Sequence, residues 1–355
     1  MRRPGVTRRQ FLRGAAGAGA LGLAFRSGVT PVRAQGKNEI VFVGFGGTYQ
    51  EGQTKALFEP FEKETGIKVI QTTGVDVAKL RAQVQSKNVE WDFISIPDRL
   101  RYTAVRDGLL MPLDYKVINA KDVMPALVTE YAVGAVTIPM LLTYSKTAFP
   151  GSNAPRTWTD FWDAKKFPGT RSLYDRSHTS LAFALLADGV PLDKLYPLDI
   201  DRGFRKLDAI KPHIKVWWKE GSQSQQLIGD GEVDMIGMWN ARAQELIDRG
   251  APLEIVWNGA ENYMGFWFVP KGTPRARLAW EFIAFAVEPR QQAAFCSRLP
   301  YGPSNPRAFD HVAPDVAAKM PTAPAHRASS FSPDAAWLVP NLPRLRERWA
   351  QWMAS

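Results

Sequence analysis

A single cysteine, Cys296, and four scattered histidines, His178, His213, His311 and His326, are all the sulfur and imidazole ligands that 355 residues provide. One cysteine closes no internal disulfide, and histidines so spaced form no zinc-type motif. No G-x-S-x-G turn occurs and no histidine sits in a recognisable triad setting, so hydrolase chemistry finds no signature. Acidic residues are missing from the first 34 positions. Beyond them, no stretch is apolar enough for the ~20 residues that span a bilayer. Repeats and low-complexity tracts are also absent.

The acid-free opening is rich in arginine: Arg2, Arg3, Arg8, Arg9, Arg13, Arg26 and Arg33. They supply seven of the ten excess positive charges, so the remainder carries only +3. Basicity therefore argues for no nucleic-acid partner. Thr7-Arg8-Arg9-Gln10-Phe11-Leu12-Arg13 reads as a twin-arginine motif, followed by a mildly apolar stretch from Gly14 to Phe25 and a small-residue cleavage site at Val32-Arg33-Ala34. Residues 1–34 are expected to be a signal peptide directing export to the periplasm by the twin-arginine route, with the mature chain starting near Gln35.

From residue 39 onward strand-like and helix-like segments alternate. Glu39 to Val43 suits a buried parallel strand. Gln50 to Thr65 reads as a helix with Leu57, Phe58 and Phe61 on one face, a kink or late start at Pro60 and a stop at Gly66. Ile67 to Ile70 and Asp92 to Ile96 are further strands, with a helix over Val77 to Lys87 between them. This order predicts an α/β fold with a mostly parallel sheet flanked by helices. Ala132 to Pro139 and Leu141 to Tyr144 then read as strands with almost no helix between them, and the alternation restarts over 157–232. The pattern predicts two lobes joined by more than one crossing, a hinge of the kind that closes around small ligands. Residues 35–138 are assigned to lobe 1, 139–262 to lobe 2 and 263–309 to a return into lobe 1. Residues 310–355 are expected to pack mainly on lobe 2, ending in a helix from Leu342 to Met353.

Candidate ligand groups lie at strand-to-helix turns. Gly44-Phe45-Gly46-Gly47-Thr48-Tyr49 follows the first strand; Tyr49 stands where a dinucleotide fingerprint needs glycine, so the turn offers aromatic surface and backbone N–H groups instead. Among twelve tryptophans, Trp239 is singled out because Trp239-Asn240-Ala241-Arg242 follows an apolar strand and opens a helix, where α/β sheets bind ligands. Gln223, Gln225 and Gln226 after Gly221-Ser222 add neutral hydrogen-bonding groups or a plain helix cap.

Gly46 to Gln50, Phe58 to Val69, Gly231-Glu232-Val233, Met238-Trp239-Asn240, Pro252 to Trp257 and Leu299 to Asn305 resemble, in order, segments of the periplasmic spermidine/putrescine-type substrate-binding proteins of ABC importers. The resemblance runs from about residue 39 to about 310. It implies a type II, two-lobed periplasmic binding fold with the solute in the cleft, no cofactor and no catalysis, and a membrane permease and ATPase as partners of a monomer. It places Phe45 at a cleft aromatic, Trp239 at a ligand-stacking tryptophan, Tyr263 where another cleft tryptophan is usual, and Tyr301 at a tyrosine near the cleft. The family's acidic positions depart: Arg176 and Thr179 occupy two of them and Gly265 a third. An inward Arg176 repels a dication and favours a carboxylate; Asp175, one residue away, restores a cation site if the alignment slips by one. Asp76, Asp98 and Glu261 are further acidic candidates, read as loop residues. The expected solute is therefore small and amine-containing or zwitterionic, such as an amino-acid derivative or other carboxylate. A true polyamine is the first alternative, and an exported cofactor enzyme the second.

Overall fold

The first strand, β1 (Glu39–Gly44), is buried on both faces as its unbroken apolar run requires. It lies between β2 (Lys68–Thr73) and β3 (Phe93–Pro97), parallel to both. The structure, a computed structural model, describes residues 38–355; the expected signal peptide lies outside the described residues. Within them the strands form one eleven-stranded sheet. Its remaining members are β4 (Val128–Thr129), β5 (Ala132–Ser145), β6 (Arg171–Tyr174), β7 (Ile214–Trp218), β8 (Met235–Trp239), β9 (Leu253–Phe268), β10 (Gly302–Pro303) and β11 (Ser330–Phe331). The main path runs β2-β1-β3-β9-β5-β8-β6-β7, with β4 and β10 on β5 and β11 on β9.

Two parallel trios, β2-β1-β3 and β7-β6-β8, are joined through the antiparallel pair β5 and β9. At roughly 3.3 Å per residue, strands of 14 and 16 residues are long enough to run from one hydrophobic core into the other. Ala132, Val133 and Val136 of β5 and Phe266 to Val269 of β9 and the turn after it join the core built on Phe42, Phe58, Phe93 and Phe282. Met140, Leu142 and Tyr144 of β5 and Leu253 and Val256 of β9 join the core built on Trp158, Phe183, Leu207 and Trp218. The crossing therefore falls at 137–139 and 260–264. Pro139 sits there, and the β5/β9 register shifts between Met140 and Leu142; such a bulge lets a proline occupy an interior strand.

Several local expectations are revised. The segments read as separate strands on either side of Met140 are one strand. The helix expected over Gln50–Thr65 starts at Gly47 and carries a π-helical turn, Thr54–Phe58, immediately before Pro60. That wider turn absorbs the hydrogen bond a proline cannot donate. Between 312 and 334 the chain forms two short helices, Pro314–Ala317 and Pro324–Arg327. The closing helix begins earlier than Leu342, at Ala335, capped by Asp334 accepting from Trp337 N, and runs to Ala354. The C-terminal region divides: Met320 is buried in the first core, whereas Phe331, Leu338, Leu345 and Trp349 join the second. The closing helix also packs against both Asp98–Arg106 and Ser177–Ala187.

Candidate functional site

Residues singled out from the sequence gather into two aromatic groups, one on each side of the crossing. In the first, the turn after β1 delivers Tyr49, whose ring lies 5.6 Å from Phe295 and 5.8 Å from Tyr301. Tyr49 points toward β9, where its hydroxyl approaches Gly265. Burial raises the phenol pKa of both tyrosines, that of Tyr301 to about 12, so both hydroxyls stay neutral hydrogen-bonding groups. Phe45 and Thr48 are on the same turn but stand exposed, Phe45 at 55 %. They touch neither aromatic group by ring contact or hydrogen bond.

The second group sits at the ends of β6, β7, β8 and the middle of β9. Trp239, half-buried at the end of β8, meets Tyr263 edge-on at 5.2 Å and Tyr174 at 6.2 Å. Tyr174 in turn stacks on the fully buried Trp218 at 4.1 Å, with planes 4° apart. The Arg176 guanidinium lies over the opposite side of this group, 4.5 Å from the Tyr174 ring centre, and donates to the Tyr174 hydroxyl at 2.5 Å. The Tyr263 hydroxyl is 2.5 Å from Thr179 Oγ1 and 3.2 Å from His178 Nε2. Thr179 and His178 belong to the helix Ser177–Ala187, which the sequence pattern did not reveal because ten of its eleven residues are buried and no polar face marks it.

Asn240 links the groups. Its side-chain amide donates to the Pro300 carbonyl at 2.5 Å, next to Tyr301, while Trp239 before it belongs to the second group. Asn240 Oδ1 is buried without a partner.

Asp175 and Arg176 both line a pocket of about 290 Å³ with Ser177, His178 and, from the closing helix, Leu342, Arg346 and Trp349. Asp175 is not a free acidic anchor there. Its carboxylate accepts from Trp349 Nε1 at 2.7 Å and faces Lys219 Nζ at 3.7 Å. With Asp175 so engaged, the pocket's outward character comes from Arg176 and Arg346, which suits an anionic group. The part played by the closing helix was invisible in the sequence, since nothing local connects residue 346 with residue 176.

The acidic candidates fare differently. Asp76 is the N-cap of the helix Val77–Ser86, accepting from Ala78 N and Lys79 N, and Asp98 opens the helix Asp98–Arg106. Glu261, read as a loop residue, lies in β9 and is 0 % exposed. Neither of its carboxylate oxygens makes a hydrogen bond of ordinary geometry. Burial is the larger influence and pushes its pKa up to about 7. The hydroxyls of Thr179 and Tyr263 and the charge of Arg176 lie close enough to oppose that rise. The same environment raises the Tyr263 phenol well above its ordinary range, through burial first and the Glu261 charge second. Among the described residues, no group of three or more His, Cys, Asp or Glu side chains is arranged to hold a metal ion.

Two cores bridged by paired crossing strands, with aromatic and charged side chains gathered at the crossing, define a hinged binding protein. Residues 56–325 match the bacterial extracellular solute-binding protein family, and the chain belongs to it. It is a solute-binding protein of the ABC-importer type, a class that delivers small solutes to a membrane permease and its ATPase. The gamma-aminobutyric acid-binding protein of Pseudomonas aeruginosa is 34% identical over 343 residues, covering 94% of this chain and 95% of that protein. The spermidine/putrescine-binding periplasmic protein of Escherichia coli is 22% identical over 312 residues, 84% of this chain and 86% of its own length. Among solved structures, the Atu4243-GABA receptor superposes with a TM-score of 0.82 at 36% identity, covering 89% of this chain and 97% of that one. The family is periplasmic, and no helix among the described residues is long and apolar enough to cross a membrane.

Proposed function

We propose that this protein captures a small solute bearing both an amine and a carboxylate, of the γ-aminobutyrate type, for import. The observation that carries this reading is the pocket between the Asp175–His178 turn and the closing helix. There two arginines, Arg176 and Arg346, face the space while the one acid is already bound to Trp349 and Lys219. A carboxylate is the small-solute group that such a pair recognises with charge-assisted hydrogen bonds. The half-buried faces of Trp239 and Tyr263 supply apolar and cation-attracting surface for the aliphatic amine. The relatives support the same class, since two of the three named above carry γ-aminobutyrate in their names. A polyamine suits the site poorly, because Arg176, Thr179 and Gly265 stand where the polyamine proteins are expected to present carboxylates.

In this reading Phe45, Thr48 and Tyr49 meet the solute from the first lobe, and Asn240 and Tyr301 from the border between lobes. Residues 35–138 and 263–309 form one lobe and 139–262 the other, and they close over the solute. The protein acts as a monomer without cofactor or catalysis, after export through the twin-arginine route. A thermal-shift and calorimetry series with 4-aminobutanoate, putrescine, spermidine and n-butylamine tests it, because a bound solute raises the melting temperature by mass action. Stabilisation by 4-aminobutanoate but not by n-butylamine is expected. Stabilisation by putrescine or spermidine alone overturns it.

A further inference from the structure

We propose that Glu261 is the buried counter-charge for the solute's ammonium group, and that it gives up a proton to solvent when that group binds. The inference rests on the amine-bearing solute proposed above and adds the acidic partner and its proton.

The geometry begins with position. Glu261 lies in β9 at the crossing between the two cores, two residues before Tyr263, so the two side chains share one face of the strand. Tyr263 is the ring against which Trp239 packs, and its hydroxyl and that of Thr179 both act on Glu261. Both carboxylate oxygens are buried and make no hydrogen bond of ordinary geometry, with only loose bonds from the Thr179 and Tyr263 hydroxyls. A carboxylate left in that state is costly, and an ionised one more so. Proteins retain such a group where something arrives to satisfy it, or keep it neutral until then.

The surroundings supply only partial relief. From its own strand comes the Tyr263 hydroxyl. The helix Ser177–Ala187 brings the Thr179 hydroxyl, with His178 one bond further along on Tyr263. Arg176 precedes that helix and is the one nearby cation acting on Glu261. From a further segment comes Tyr196, a buried phenol with its own hydroxyl unpartnered, whose field combines Glu261, Tyr263 and Asp334. Arg176 lies over the Tyr174 ring and donates one hydrogen bond to its hydroxyl. Burial outweighs these influences and pushes the carboxyl's pKa up to about 7.

An ammonium group drawn against the Trp239–Tyr263 wall, hydrogen-bonded to the Thr179 and Tyr263 hydroxyls, adds the missing positive charge. The step balances simply: the Glu261 carboxylic acid becomes a carboxylate, the solute remains an ammonium ion, and the released proton goes to buffer. No bond in the solute changes. The aliphatic amine thus finds its counter-charge beneath the wall, while the carboxylate end finds Arg176 and Arg346 beside it. Position 261 compensates from the strand for an acid absent at position 179 on the helix.

Calorimetry of the full mature chain with 4-aminobutanoate and with putrescine, at pH 6, 7 and 8 in buffers of differing ionisation enthalpy, tests this. Wild type is expected to release a fraction of a proton per bound amine near pH 7. Its affinity is expected to fall about tenfold between pH 8 and pH 6, as a single group titrating near 7 requires. Glu261→Gln is expected to abolish the proton release and weaken amine binding at pH 8 by at least about tenfold. If only putrescine binds, with proton release that Glu261→Gln removes, the solute class is wrong but the role of Glu261 stands. Amine binding without proton release in the wild type overturns the role, independently of how the variant folds. So does unchanged affinity in Glu261→Gln, or failure of wild type to bind either amine.

Discussion

The Asn240 side-chain amide donates to the Pro300 carbonyl at 2.5 Å, tying the start of a helix beside the second core to the turn that presents Tyr301 beside the first. This bond joins the two aromatic groups directly, so it belongs to the arrangement in which the site is assembled. Asn240→Ala is expected to raise the solute Kd roughly fivefold, the equivalent of one ordinary hydrogen bond of about 1 kcal/mol. Titration calorimetry reads the effect; an unaltered Kd removes this link from the binding cycle.

Trp239 is half-buried and touches Tyr263 and Tyr174 only edge-on, while the tight stack beneath it is made by Tyr174 and Trp218. Trp239→Ala therefore leaves the core pair intact. Binding is expected to weaken at least tenfold, in keeping with about 1.5 kcal/mol for an aromatic contact, with little change in the thermal midpoint of the free protein. Equal losses in Tm for Trp239→Ala and Trp218→Ala would instead mark Trp239 as core.

Stability of the unliganded protein reports on Glu261 without any solute. Its carboxyl titrates near 4.5 when exposed and near 7 when folded, pushed up chiefly by burial. Between those values the native state holds the extra proton. Its stabilising effect is therefore complete below about pH 4.5 and is lost as pH rises through 7. The loss amounts to about 3 kcal/mol by pH 8. Glu261→Gln, which has no proton to lose, is expected to be less sensitive to pH over this range and more stable than wild type at pH 8. Denaturant titrations at pH 5 and pH 8 make the comparison, and parallel pH dependence in the two proteins contradicts it.

Asp92 provides a contrast, a buried acid whose partners are all present. It is 0 % exposed, accepts from Val41 N and Arg275 Nε at 2.7 Å each, and bonds the Thr273 hydroxyl. These contacts pin β1, the approach to β3 and the turn after β9 in the first core. Asp92→Asn removes the buried charge that faces Arg275 and is expected to cost about 3 kcal/mol in unfolding free energy. Solute affinity at low temperature should persist, since the residue is remote from both aromatic groups; urea denaturation and calorimetry together separate the two effects.

Much of the architecture was legible from local pattern. The buried strand at 40–43, the glycine stop at 66, the alternation that signals α/β layers and the aromatic residue at the end of β8 each follow from a short window of sequence. What escaped had no local mark. The helix Ser177–Ala187 carries no polar face because it is covered on all sides. Asp175 reads as a free acid until Trp349, 174 residues away, is found donating to it. Glu261 reads as a surface acid because nearly all glutamates are, and only the crossing of β5 and β9 buries it.

By itself, the amino-acid sequence determined the kind of protein: an α/β chain of alternating apolar strands and helices, poor in metal ligands, with the ordered motifs of a solute-binding protein. Tertiary structure alone decided which charges are brought together. Arg346 joins Arg176, Asp175 pairs with Trp349 and Lys219, and Glu261 is buried, because these outcomes depend on segments up to about 170 residues apart being packed together. A side chain's charge is written locally, but the dielectric around it and the partners that answer it are set by the packed molecule.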